Sequence, residues 1–210
     1  EPRWADAVRA AVATQAEAAG KIALVGHFKD ESSSYLAAFP DWALLRMPRR
    51  GRMDSTVLRD AWRVAAEKTQ QVLEGGENAA FLTIGDPLVY STFGYLMQTL
   101  RDLAPHLPIE IIPGITSIQA AAARAGVILC ENGETLRIIP GINSRDELEK
   151  ALDGADTAVI LKTYRNLPAI ADALRATGRL DSCILASHVE QPAEKLRHGL
   201  DPEQGTPPYM

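Results

Sequence analysis

Two short stretches combine glycine, proline, an acid and hydroxyls in a pattern that suits ligand binding. The first is Thr83-Ile84-Gly85-Asp86-Pro87-Leu88-Val89-Tyr90-Ser91-Thr92. Its glycine lets a ligand approach the backbone, its aspartate offers acceptor oxygens and its proline fixes the turn. Ser91 and Thr92 can cap a following helix. The second, Ile112-Pro113-Gly114-Ile115-Thr116-Ser117-Ile118-Gln119-Ala120, repeats the logic with a helix of small residues behind it. Taken singly, each is also what an ordinary strand–turn–helix junction looks like. A third stretch, Asp54-Ser55-Thr56-Val57-Leu58-Arg59, sets two hydroxyls and an arginine at the start of a long helical run. That is an anion site in principle, and a plain helix cap with a solvated arginine otherwise.

No other residues assemble into a catalytic set. His27, His106, His188 and His198 lack helical i, i+4 spacing, and Cys130 and Cys183 lie far apart with no CxxC, so no metal site is expected. The two cysteines read as reduced core thiols of a cytoplasmic protein. Ser32-Ser33-Ser34 reads as loop and cap, because no general base is placed for it. His188 and Glu190 are spaced to face one way on a strand, as surface polar residues routinely are, and Tyr90 and Tyr164 divide evenly between cleft-lining and packing roles.

The elements that must hold these residues alternate along the chain. Apolar spacing predicts helices over 3–18, 32–39, 55–74, 91–103, 117–124, 144–152 and 167–176. Asp54 or Ser55 is expected to cap the third of these, and Thr116 or Ser117 the fifth. Short apolar runs predict strands over 21–26, 42–47, 79–84, 109–112, 136–139, 157–161, 183–187 and 195–198. Such alternation argues an α/β fold with a mainly parallel sheet and flanking helices. Ligands bind beyond the carboxyl ends of parallel strands, so the ends at Ile84 and Ile112 are expected to face one cleft. Hydrophobic residues at 46% and charged residues at 23% exclude a disordered or collagenous chain. The net charge of −5 argues against nucleic-acid or anionic-membrane partners. No apolar run approaches the roughly 18–20 residues of a membrane span. The opening Glu-Pro-Arg-Trp has no signal-peptide pattern and no starting Met, as in a processed or trimmed chain.

Taken together, Gly85-Asp86-Pro87-Leu88-Val89-Tyr90-Ser91-Thr92 and Pro113-Gly114-Ile115-Thr116-Ser117 resemble the tetrapyrrole methylases, most closely the precorrin-2 carbon-20 methyltransferases of cobalamin synthesis. The resemblance continues through Ala120-Ala121-Ala122-Ala123-Arg124-Ala125-Gly126, Ala158-Val159-Ile160-Leu161-Lys162-Thr163-Tyr164 and Pro208-Tyr209-Met210, and covers residues 63–210. It implies an S-adenosylmethionine cofactor held by Gly85, Asp86, Pro87, Val89, Thr116, Ser117 and Leu161, and a small-molecule tetrapyrrole substrate. It leaves homodimer formation open. Methyl transfer of this kind rests on proximity and alignment, so no catalytic side chain is nominated. These methylases open with a Gly-Pro-Gly-Asp loop that has no counterpart before residue 63. Turnover is therefore expected to be weak or absent.

Residues 1–62 resemble something else. Lys21-Ile22-Ala23-Leu24-Val25-Gly26-His27-Phe28, Phe39-Pro40-Asp41-Trp42 and Asp54-Ser55-Thr56-Val57-Leu58-Arg59 are similar to bacterial nicotinamide-nucleotide adenylyltransferases. That resemblance implies a Rossmann-like front part and, as the alternative function, ATP with Mg²⁺ bound through Ser55, Thr56 and Arg59. The family's His-x-Gly-His motif is absent. The chain thus reads as two partial α/β sequences joined near residues 60–65, and a folded chimera without turnover is the third reading.

Overall fold

The structure, a computed structural model, describes residues 3–15, 21–26, 36–46, 55–141 and 144–201. The chain divides into two compact units, Glu1–Gly114 and Ile115–Met210. Asp54, His27, Ser32-Ser33-Ser34 and the terminal Pro208-Tyr209-Met210 lie outside the described residues.

The first unit is built on three parallel strands in the order β2-β1-β3, where β1 is Ile22–Gly26, β2 is Ala43–Arg46 and β3 is Asn78–Phe81. β1 is central and its Ala23, Leu24 and Val25 are all buried, as expected of a parallel strand covered on both faces. Successive side chains of a strand point to opposite faces. Leu24 accordingly joins Ala5, Leu36, Phe39 and Trp42 on one side. Val25 joins Trp62, Ala65, Ala66, Leu96 and Leu100 on the other. The first group includes α1 (Arg3–Gln15), the second α2 (Ser55–Glu74) and α3 (Phe93–Leu103). In α2 the buried residues Trp62, Ala65, Ala66 and Thr69 recur at i, i+3, i+4 and i+7, one helical face. Arg9 of α1 donates to both carboxylate oxygens of Asp41 at 2.8 Å and lies over the Phe39 ring.

In the second unit, β4 (Leu136–Ile139) pairs in parallel with β5 (Thr157–Ile160), and β6 (Ile184–Ser187) pairs antiparallel with β7 (Lys195–His198). α4 spans Ser117–Ala125, α5 Arg145–Leu152 and α6 Leu167–Ala176. Leu148 and Leu152 of α5 pack with Leu167, Ile170, Ala173 and Leu174 of α6 and Ile139 of β4. The Ser144 hydroxyl accepts from the Glu147 N–H at 3.3 Å and caps α5, whose first turn carries Asp146 and Glu147. Ser144→Ala is expected to cost about 1 kcal/mol, within the usual range for a lost cap. A urea titration followed by circular dichroism checks this, and a stability equal to the parent's would show that the cap contributes nothing.

The α/β class, the mainly parallel pairing and most elements agree with the sequence. Three readings need correction. Strand β3 stops at Phe81 rather than 84, with the paired register ending at Val25↔Phe81. Ile84 is 72% exposed. Residues 109–112 form no strand. Pro108 and Pro113 bracket these four residues and remove donors from both ends, and Ile112 is 52% exposed. β6 and β7 form an antiparallel hairpin, with His188 and Glu190 in its connection rather than on a strand. Of the helix expected over 32–39, residues 36–38 form a 3-10 turn and 32–35 lie outside the described residues. The suggested sequence junction at 60–65 falls inside helix α2. Among the described residues no helix is long and apolar enough to cross a membrane.

Candidate functional site

Within the first unit, the 83–92 loop and the 113–114 turn meet. Asp86 joins them. Its Oδ1 accepts from the Leu88 N–H at 2.8 Å, closing its own turn, and its Oδ2 accepts from the Gly114 N–H at 3.0 Å, 28 positions on. The Gly114 and Leu88 amides, in that order, hold the Asp86 carboxyl below the 3.8 of a free aspartate. A lowered carboxylate favours the fold above its unfolded value and is lost as pH falls through the lowered one. The join is therefore intact through neutral and mildly acidic conditions.

Two glycines make the approach possible. Gly85 sits at φ 84°, which favours glycine. A β-carbon on Gly114 would stand 2.3 Å from the Gly85 carbonyl oxygen. The rest of the loop is tied to α3. The Ser91 hydroxyl donates to Thr83 Oγ1 at 3.3 Å and accepts from the Phe93 N–H at 3.2 Å. Pro87 and Val89 stand on this loop, and Val89 N–H donates to the Asp86 carbonyl at 3.3 Å. Ile84, Leu88, Val89, Tyr90 and Ile112 are exposed around it. Asp86 thus spends both oxygens on backbone amides, and what the loop presents outward is backbone and apolar surface.

The other three residues expected to face a cofactor lie in the second unit. Thr116 is the N-cap of α4, with its N–H donating to Gln119 Oε1 at 2.9 Å and its hydroxyl directed at the same oxygen. Gly126, at φ 66°, ends the helix. Ser117 and Leu161 both line a cavity of about 580 Å³, together with Ala121 and Ala122 of α4 and Ala158 and Ile160 of β5. The alanines of α4 leave room that larger side chains would fill. Leu161 N–H donates to the Ile139 carbonyl at 2.8 Å, extending the β4–β5 ladder to the cavity edge.

The connection between β6 and β7 is fastened to α4. Arg124 donates from Nε and Nη2 to the Glu194 carboxylate at 2.7–3.0 Å. Glu194 in turn accepts from the Glu190 N–H at 2.8 Å. His188 and Glu190 hold φ 51° and 62°, uncommon for residues with a β-carbon. Ser187 and Val189 of this hairpin line the cavity, so the ion pair fixes part of its wall.

Of the phosphate-site candidates, Arg59 is exposed on α2, and Ser55 and Thr56 open that helix. Tyr164 lines the second-unit cavity, while Tyr90 is exposed. Among the described residues no group of three or more His, Cys, Asp and Glu could hold a metal ion. Two positions gain their significance only in the fold. Gly114 follows Pro113, and its close approach to Gly85 comes from a segment 29 positions earlier. Lys162, directly after Leu161, adopts φ 58°, which nothing in its residue type announces.

Comparison with known proteins adds the following. The sequence pattern of the tetrapyrrole (corrin/porphyrin) methylases matches residues 8–201. A precorrin-2 C(20)-methyltransferase of Sinorhizobium sp is 37% identical over 129 residues, covering 61% of this chain and 51% of that one. The chain spans about half the length of the curated precorrin-2 and cobalt-precorrin-2 methyltransferases it matches. A nicotinamide/nicotinic acid mononucleotide adenylyltransferase of Acinetobacter baylyi is 35% identical over only 63 residues, 30% of this chain and 34% of that one. Among solved structures, a cobalt precorrin-4 methyltransferase aligns with TM-score 0.60 at 16% identity, over 85% of this chain and 73% of its own. The uroporphyrin-III C-methyltransferase of Thermus thermophilus, complexed with S-adenosyl homocysteine, aligns with TM-score 0.54 at 19% identity, over 86% and 76%.

Proposed function

The chain belongs to the tetrapyrrole methylase family, and from that premise we propose that it serves methyl transfer from S-adenosylmethionine to a precorrin-2-like tetrapyrrole in cobalamin biosynthesis. The observation that carries this reading is the joining of the two loops that the family resemblance marks: Asp86 of the first holds Gly114 of the second. Two further features support it. The approach of Gly114 to Gly85 leaves backbone uncovered by side chains. The second-unit cavity, about 580 Å³, falls within the roughly 300–1,000 Å³ of small-molecule sites.

When bound, the cofactor supplies an electrophilic methyl group. The protein's part is to hold and orient. In the first unit, Gly85, Pro87 and Val89 offer backbone and apolar surface, and Asp86 fixes the loop that carries them. In the second, Ser117 and Leu161 line the cavity, and Thr116 sets the direction of α4. Alignment of this kind requires no general base. The adenylyltransferase reading finds no comparable support. Of its proposed phosphate clamp, Arg59 is exposed on α2 and the side chains of Ser55 and Thr56 lie outside the described residues.

Calorimetric titration of one sample with S-adenosylhomocysteine and with ATP plus Mg²⁺ tests the proposal. Saturable binding of the first and none of the second is expected. Binding of ATP alone would replace the methylase reading by the adenylyltransferase one.

A further inference from the structure

Three formally charged residues line the second-unit cavity: Asp156, Lys162 and Arg179. Two are spent within the protein. Asp156 Oδ2 accepts from the Thr135 N–H at 2.7 Å and from its hydroxyl at 3.0 Å. Arg179 donates to the carbonyls of Ala155 at 2.6 Å and Asp156 at 3.3 Å. Lys162 pairs with no acid or carbonyl among the described residues. Its neighbour Arg165 is engaged with Tyr164: Nε donates to the phenol oxygen at 3.1 Å, and the guanidinium lies over the ring. Lys162 is thus the uncommitted charge on an otherwise largely apolar wall.

Its backbone marks the same position. Lys162 stands two residues past the carboxyl end of β5, the edge where parallel strands present ligand-binding groups. There it holds φ 58° and ψ 39°, a conformation that costs a residue with a β-carbon and is kept where the surroundings enforce it. The Leu161–Ile139 hydrogen bond before it and the 3-10 turn Thr163–Arg165 after it do the enforcing. The residue is exposed, so an incoming anion can reach its ammonium without a prior opening of the wall.

We propose that Lys162 is a specificity-determining residue that pairs with a carboxylate of the molecule occupying this cavity. The inference rests on the methyl-transfer reading, whose two ligands both carry that group: the amino-acid end of the cofactor and the acid side chains of the tetrapyrrole. An ammonium makes a charge-assisted hydrogen bond to either, as a point contact rather than a fork.

The full chain and its Lys162→Gln and Lys162→Arg variants are titrated calorimetrically with three probes. These are S-adenosylhomocysteine, methylthioadenosine, which lacks the carboxylate, and uroporphyrin, a carboxylate-bearing macrocycle. The Gln variant is expected to bind one carboxylate-bearing probe roughly 10- to 100-fold more weakly. Methylthioadenosine binding stays unchanged, and the Arg variant keeps most of the affinity. The probe that loses affinity identifies the source of the carboxylate. Equal affinity of parent and Gln variant for both carboxylate probes overturns the proposal and leaves the methyl-transfer reading standing. An equal loss for methylthioadenosine also overturns it, since that reports a deformed cavity. A parent chain that binds none of the three overturns both readings.

Discussion

Gly114→Ala is expected to part the two loops and remove most cofactor affinity. The added methyl group would stand 2.3 Å from the Gly85 carbonyl oxygen and 3.0 Å from its carbon. Both are backbone atoms, so no side-chain rotation relieves the overlap. The 113–114 turn must withdraw, and the Gly114 N–H then leaves Asp86. Where chemistry depends on alignment, a shift of about 1 Å can cost on the order of 100-fold in rate. A comparable loss in methyl transfer, and at least about tenfold in S-adenosylhomocysteine affinity, is expected on that ground. Exchange of the Gly114 amide proton gives a readout that needs no activity: it should accelerate in the variant, while α3 amides stay protected. Unaltered exchange at Gly114 with unaltered affinity would show that the turn absorbs a methyl group without moving.

Leu148→Ala is expected to cost about 2–5 kcal/mol in the second unit, the usual range for removing a leucine side chain from a core that cannot fully close. Leu148 is wholly buried in α5 and meets residues from α6 and β4. With domain stabilities of about 5–15 kcal/mol, that is a large fraction of the whole. Urea unfolding followed by circular dichroism measures it. A loss below about 1 kcal/mol would mean that the α5–α6 contact is loosely packed. Ser144→Ala, one turn away on the same helix, is the smaller reference.

What the sequence could reveal was local. Cap chemistry at Thr116 and Gly126 set the bounds of α4 to within one residue, because both act through their own neighbours. β1 was plain as a short apolar run between polar residues. The strand bounds were harder to read, because a strand exists only beside a partner. The apolar run at 79–84 continues past Phe81, although the ladder with β1 ends at Val25↔Phe81. The run at 109–112, Ile-Glu-Ile-Ile, pairs with nothing among the described residues. At the candidate site, Asp86 was recognisable as an acceptor. Its donor lies 28 positions away, and only the folded chain brings Gly114 within reach. Lys162 was hidden for a similar reason. Its left-handed backbone is imposed by the ladder before it and the turn after it, not by its side chain.

β1 has a consequence for how the first unit comes apart. Leu24 and Val25 are adjacent residues, yet one belongs to the core beneath α1 and the other to the core beneath α2 and α3. The two cores share this strand as a common wall. Neither helical layer can peel away without wetting one face of β1 and weakening the strand that the opposite layer leans on. A single-residue slip of β1 would exchange Leu24 and Val25 between the cores and spoil both at once. The first unit is therefore tied into one cooperative block through a strand of five residues, and partial opening of either layer is penalised by the integrity of the other.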